Sequence, residues 1–143
     1  MLKGIPSIIS PELMKILMEM GHGDEIVLAD ANFPSASHAQ HHLIRCDGRG
    51  IPELLAAILK FFPLDTYVEH PVTLMDVVEG EQFQPTIWEN YETFIQKEQA
   101  ISLQMEYVDR FAFYERAKKA YAIVATGESA QYANIILKKG VLT

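Results

Sequence analysis

The stretch from Glu19 to Pro34 limits the fold of this chain most strongly, because its hydrophobic period changes within three residues. Before it, Leu13, Ile16, Leu17 and Met20 recur at helical spacing, and after it Ile26-Val27-Leu28-Ala29 is a continuous apolar run of strand length. A helix and a buried strand therefore meet at Gly21-His22-Gly23, which must be a tight turn. Gly21 is expected as the left-handed residue just past the helix end. Gly23 is expected to clear bulk beside the His22 imidazole. A strand that is apolar on both faces needs cover on both, which already points to helices packed on a sheet.

The rest of the chain keeps this alternation. Ser10-Pro11-Glu12 reads as a helix start, with a serine cap, a proline in the first turn and an acid at the positive helix end, so the first helix should cover Pro11 to Met20. A strand is expected at Glu25–Ala29, a polar loop from Ala31 to His42 over the site, and a strand at Leu43–Cys46 ended by Asp47-Gly48. Ile51, Leu54, Leu55, Ile58, Leu59 and Phe62 give a second helix that stops before Pro63. Val72–Val78 reads as a strand closed by Glu79-Gly80-Glu81. Pro85 to Ala100 reads as an amphipathic helix whose stripe of Ile87, Trp88, Tyr91, Phe94 and Ile95 serves as core or as a ligand platform. Strands at Ser102–Val108, Tyr121–Ala125 and Asn134–Leu137, and a helix at Phe111–Lys119, complete the pattern. It predicts one α/β domain over residues 1–143, with a mixed or mostly parallel sheet covered by helices. There is no linker, low-complexity tract or internal repeat.

Composition narrows the function classes. A chain of 143 residues buries about 68–70% of its unfolded surface and needs no disulfide or metal to hold together. Twelve Lys and Arg against 19 Asp and Glu leave a net charge of −7, which argues against nucleic acid or an anionic membrane as partner. The small basic groups Arg116-Lys118-Lys119 and Lys138-Lys139 read as solvated faces. Cys46 is the single cysteine, so a reducing cytoplasm is the natural compartment. Met1 to Pro6 leads straight into the first helix without a signal-peptide pattern, and no run approaches the ~20 apolar residues of a membrane span.

His22 and Asp30 are the first candidates for chemistry. His22 lies on a turn and should be partly exposed, while Asp30 follows a strand, at the end where open α/β sheets hold ligands. Helix capping by His22 and an Asx turn at Asp30 would explain the same residues structurally. A second constellation, His38, His41 and His42 with Cys46 and Asp47, lacks the regular spacing of a metal site, so no metal is assigned to it.

Longer blocks add a resemblance. Met20 to Val27 with Asp30 and Phe33-Pro34, then Arg110-Phe111-Ala112-Phe113-Tyr114-Glu115-Arg116-Ala117, Thr126-Gly127-Glu128, Tyr132-Ala133-Asn134 and Leu137-Lys138-Lys139-Gly140-Val141 together resemble the fucose mutarotase and ribose pyranase family. The blocks occur in the family's order over nearly the whole chain. Gly23 stands where the ribose branch carries threonine, and Phe33-Pro34 where that branch tends to Leu-Pro, so the fucose branch is the closer one.

The resemblance implies a ribose-pyranase-like fold and interconversion of the α and β anomers of a free reducing sugar, L-fucose. Opening a hemiacetal ring takes the proton from the anomeric hydroxyl and gives one to the ring oxygen, and closure reverses both transfers. Such chemistry asks for no cofactor, which agrees with the lack of a dinucleotide or phosphate-loop motif. By the resemblance His22 is the catalytic acid/base, a role that suits histidine because the imidazole side chain, with a reference pKa of about 6.5, can give and take a proton near neutrality. Asp30, Arg110, Tyr132 and Asn134 are implied to bind the sugar. Ala133 departs from the glycine often found between Tyr132 and Asn134. Without the resemblance, Tyr132 reads as a packed aromatic and Asn134 as a turn residue. A non-catalytic sugar-binding or transport-accessory protein and a D-ribose pyranase are the alternatives. The family also implies a ring-like homo-oligomer, a decamer of stacked pentamers, with the site completed across a subunit boundary. The bulky residues around Phe33-Pro34 and Phe111-Phe113-Tyr114 are expected at that boundary.

Overall fold

Ser10 starts the first helix as its place before Pro11 predicts: its side-chain oxygen accepts the Leu13 amide at 3.1 Å. A computed structural model of the protein describes residues 1–99 and 103–143. In chain order the elements are α1 (Pro11–Glu19), β1 (Glu25–Ala29), α2 (Ser35–His38), β2 (His42–Cys46), α3 (Ile51–Leu59), β3 (Val72–Met75), α4 (Ile87–Gln99), β4 (Glu106–Val108), α5 (Arg110–Lys119), β5 (Ala122–Thr126) and β6 (Ile135–Lys138). The expected α/β architecture is present as a six-stranded mixed sheet in the order β2-β5-β1-β6-β3-β4. Neighbours are parallel except at β6, which runs against both β1 and β3.

Alternation along the strands divides the interior into two layers. Ile26 and Leu28 of β1, Val124 of β5 and Leu137 of β6 point to the face covered by α1, α3 and α4, where Leu13, Leu55, Ile58, Tyr91 and Ile95 are buried. Val27, Ile123 and Ile136 point to the other face and pack with Phe33, Phe113 and Ala117 beneath α5. Phe33 and Phe113 are therefore core residues of the single chain and not the exposed interface residues expected. Of that aromatic block Phe111 is exposed, at 71%.

Several boundaries differ from expectation, each for a local reason. The 31–42 loop contains the helical turn α2, whose Ala39 amide closes onto the Ser35 carbonyl at 2.9 Å. β3 ends at Met75 instead of Val78: Met75 faces Val108, the last residue of β4, and the Asp76 amide makes the final bond, to the Val108 carbonyl at 2.8 Å. The strand expected at Ser102–Val108 is reduced to β4, which pairs with β3 from Glu106 onward, and Ser102, like Ala100 at the expected end of α4, lies outside the described residues. Arg116 is not a solvated cation: it bridges Glu25 at 2.6 Å and Glu106 at 3.1 Å, tying α5 to β1 and β4.

The Gly21-His22-Gly23 turn has its own geometry. Met20 ends α1 in an extended conformation (φ −64°, ψ 135°), and the Asp24 carboxylate accepts the Gly21 amide at 2.7 Å. The left-handed residue is Gly23 (φ 88°), not Gly21. A side chain at Gly23 would meet nothing within 4 Å, so its backbone angle and not crowding calls for glycine.

Candidate active site

Because β6 runs opposite to its neighbours, the residues that precede it return to the carboxyl end of β1, where Asp30 sits. Asn134 binds Asp30 twice: its Oδ1 accepts the Asp30 amide at 2.7 Å and its Nδ2 donates to Asp30 Oδ2 at 3.2 Å. Asp30 Oδ1 accepts the Asn32 amide at 3.0 Å. Burial raises the Asp30 carboxyl above the usual aspartate range, assisted by the nearby Glu128 charge and opposed by the hydrogen bonds from Asn32, Phe33 and Asn134.

Tyr132 sits beside this pair in the left-handed region (φ 58°), a conformation that costs a bulky residue on the order of 1–3 kcal/mol. Helix α4 holds it there. Trp88 Nε1 donates to the Tyr132 carbonyl at 2.8 Å, and the Tyr91 hydroxyl, at the end of a fully buried side chain, donates to the Ala133 carbonyl at 2.6 Å. The α4 stripe is thus core and site support together. Since Tyr132 and not Ala133 takes the positive φ, alanine in place of the family's glycine adds no backbone strain. The Tyr132 hydroxyl donates to the Glu81 carboxylate and accepts the Val78 amide at 3.3 Å.

Asp30, Asn134, Tyr132, Glu81, Tyr114 and Met75 line an open cavity of about 240 Å³. That is below the roughly 300–1,000 Å³ of drug-sized sites and suits a ligand as small as a monosaccharide. Arg110 opens α5 directly after its cap Asp109, which accepts the Ala112 amide at 2.9 Å. Its guanidinium lies over the rings of Phe111 (5.2 Å) and Tyr114 (5.6 Å), so it stands at the rim, joined to the cavity wall through Tyr114.

His22 is at the other end of the sheet. β1 separates it from Asp30, a strand of five residues that spans about 17 Å at ~3.3 Å per residue. His22 Nε2 and Asp65 Oδ1 are 3.1 Å apart, and the Tyr67 ring meets the imidazole edge-on at 5.1 Å. The imidazole side chain is 39% exposed, whereas Asp65 is buried. Burial opposes the Asp65 charge, but the Tyr67 amide, His22 and Lys138 outweigh it and hold the carboxyl below the usual range. Gly140 explains how Asp65 comes this close: a Cβ there would lie 2.6 Å from the Leu64 carbonyl oxygen and 2.8 Å from the Asp65 Cα. Only glycine lets the chain pass.

The five expected site residues therefore form two groups. Asp30, Tyr132 and Asn134 line one cavity with Arg110 at its rim, and His22 stands apart with Asp65. Sequence reasoning passed over Asp65, Glu81, Tyr114 and Met75. Tyr114 was within reach, in the block headed by Arg110. Glu81 was read as a turn residue, and Asp65, 43 positions from His22, carries no local signal. The histidines at 38–42 disperse: His38 Nδ1 lies 3.0 Å from the Pro34 carbonyl oxygen, and the His42 ring packs tilted against Tyr121 with centroids 4.7 Å apart. Among the described residues no three His, Cys, Asp or Glu side chains converge on a metal position, and no helix is long and apolar enough to cross a membrane.

Residues 3–142 match the RbsD / FucU transport protein family. The chain is 55% identical to the fucose mutarotase of Mus musculus over 146 residues, covering 99% of this chain and 95% of that protein. Its fold superposes on the crystal structure of the fucose mutarotase of Streptococcus pneumoniae in complex with L-fucose, with a TM-score of 0.94 and 59% identity over 99% of this chain and 100% of that one. It is more distant from Bacillus subtilis RbsD complexed with D-ribose, with a TM-score of 0.77 and 25% identity at full coverage of both. A match over nearly every residue, repeated in sequence and in fold, means that the chain belongs to the RbsD / FucU family.

Proposed function

We propose that this chain interconverts the α and β anomers of free L-fucose by general acid–base opening and closing of the pyranose ring. The observation that carries the reading is the Asp30–Asn134–Tyr132 cluster. It puts an acceptor-rich polar set in a monosaccharide-sized cavity, in a chain 59% identical to a fucose mutarotase crystallised with that sugar. The lower likeness to the ribose-bound relative favours fucose over ribose. Asp30 accepts hydrogen bonds from sugar hydroxyls, Asn134 orients Asp30 and offers its own amide, and Arg110 donates from the rim. His22 is the acid/base. With Nε2 engaged by Asp65, it exchanges protons with the substrate through Nδ1. The chemistry consists of proton transfers, for which side chains suffice, and the single thiol of Cys46 fits a cytoplasmic setting.

A sugar in the Asp30 cavity cannot meet His22 of the same chain across the length of β1. We therefore place His22 of a neighbouring copy against this cavity, in a homo-oligomer of the ring-like kind that the family resemblance implies. The exposed Phe111, beside Arg110 at the rim, is suited to that boundary. NMR saturation transfer between anomeric protons tests the activity: the protein should speed exchange for L-fucose more than for D-ribose. Exchange equal to the protein-free rate for every sugar would remove the enzymatic reading. The His22→Gln protein should keep fucose affinity and lose exchange, and a binding protein without catalysis would show no such split.

A further inference from the structure

Ring opening needs a second proton-carrying group besides His22, and the Tyr132 phenol stands in the cavity with its own hydrogen already engaged by a neighbouring carboxylate. That hydrogen goes to the Glu81 carboxylate while the Val78 amide donates to the oxygen at 3.3 Å, so toward a ligand the phenol oxygen is an acceptor. A sugar hydroxyl that meets it must be the donor. Glu81 lines the cavity and is also exposed to water. Trp88 and Tyr91 fix the backbone at Tyr132 and Ala133, which keeps the phenol from following the sugar.

We propose that Glu81 is the terminus of a proton relay through Tyr132, receiving the proton that leaves the anomeric hydroxyl. This rests on the mutarotase reading above. In the opening step the anomeric O–H proton passes to the Tyr132 oxygen as the phenolic proton passes to Glu81. The electron pair of the broken O–H bond forms the carbonyl at C1. The bond from C1 to the ring oxygen breaks, its pair stays on that oxygen, and the oxygen takes a proton from the His22 imidazolium of the neighbouring copy. Closure on either face of the carbonyl returns one proton from Glu81 through Tyr132 to the new hydroxyl and the other from the ring-opened hydroxyl to His22. No proton, electron or co-reactant is consumed. The Glu81 carboxylate also holds the phenol above its ordinary pKa, so Tyr132 passes a proton on and does not store a negative charge.

The test compares the wild type with Glu81→Gln, Tyr132→Phe and the double variant. Anomer exchange is read by saturation transfer and L-fucose affinity by calorimetric titration. Glutamine keeps an acceptor for the phenol and so keeps Tyr132 in place, but it cannot take the proton. Glu81→Gln should bind fucose nearly as well as the wild type, melt at the same temperature and exchange anomers about 100-fold more slowly, within the usual range for one acid–base group. The double variant should be no slower than Tyr132→Phe alone, since both substitutions break one path. Wild-type exchange in Glu81→Gln would overturn the relay. So would an equal loss of exchange and affinity, or multiplicative losses in the double variant. Failure of the wild type itself to exchange fucose anomers would overturn the mutarotase reading, a result distinguishable from all three.

Discussion

Asp30 and Asp65 sit at opposite ends of the same sheet with opposite acidities. The Asp30 carboxyl is raised by burial, so folding favours its protonated form. The stability it contributes is fully present below its unfolded pKa of about 3.9 and is lost as pH rises through the higher folded value. Asp65 is lowered, so its stability is present above about pH 3.9 and is lost as pH falls through the folded value. In the proposed function the Asp30 carboxylate binds the sugar. L-fucose affinity, followed by titration calorimetry, should therefore weaken on acidification at pH values above those that protonate an ordinary aspartate. Asp30→Asn should bind weakly at every pH and lose this dependence. An unchanged pH profile in Asp30→Asn would assign the titration to another group. His22 and Asp30 stand out in the sequence because each follows the end of a regular element. Asp65 does not. Its role depends on Gly140 admitting a distant segment, a tertiary contact without a local pattern.

The α4 stripe was legible as an amphipathic face, yet periodicity does not report what its polar tips hold in place. Replacing Tyr91 by Phe removes the donor to the Ala133 carbonyl and leaves a buried acceptor unpaired, a loss of about 1–3 kcal/mol. Thermal melting should register that loss. At a temperature where the variant remains folded, fucose exchange should also fall, because Tyr132 is freed to leave its left-handed conformation. A lower melting temperature with unaltered exchange would show that Tyr132 keeps its place without this bond. The direction of β6 was equally hidden, since a buried strand has the same apolar run whichever way it points. Its reversal matters for the site: a parallel β6 would have carried Tyr132 and Asn134 to the His22 end. The shortened β3 and β4 reflect pairing, which belongs to two segments at once. Residues 76–78, expected to continue β3, leave the sheet instead and bring the Val78 amide to the Tyr132 hydroxyl.

Across the whole molecule, composition and alternation were enough for a two-sided α/β domain, and the family blocks were enough for its chemistry. They could not show that β1 holds His22 and Asp30 apart. This separation has a genetic consequence. In the proposed assembly, two chains defective at opposite ends of β1, His22→Gln and Asp30→Asn, each lack a different half of every site they build with their own kind. Co-expressed and mixed at random in one assembly, they restore intact junctions wherever a sound His22 faces a sound Asp30, at about a quarter of all contacts in a closed ring of like subunits. Fucose exchange in the mixed particle should rise well above that of either parent, toward a quarter of wild type, although no chain in it is wild type. A mixture as inactive as its components would mean that each chain completes its own site.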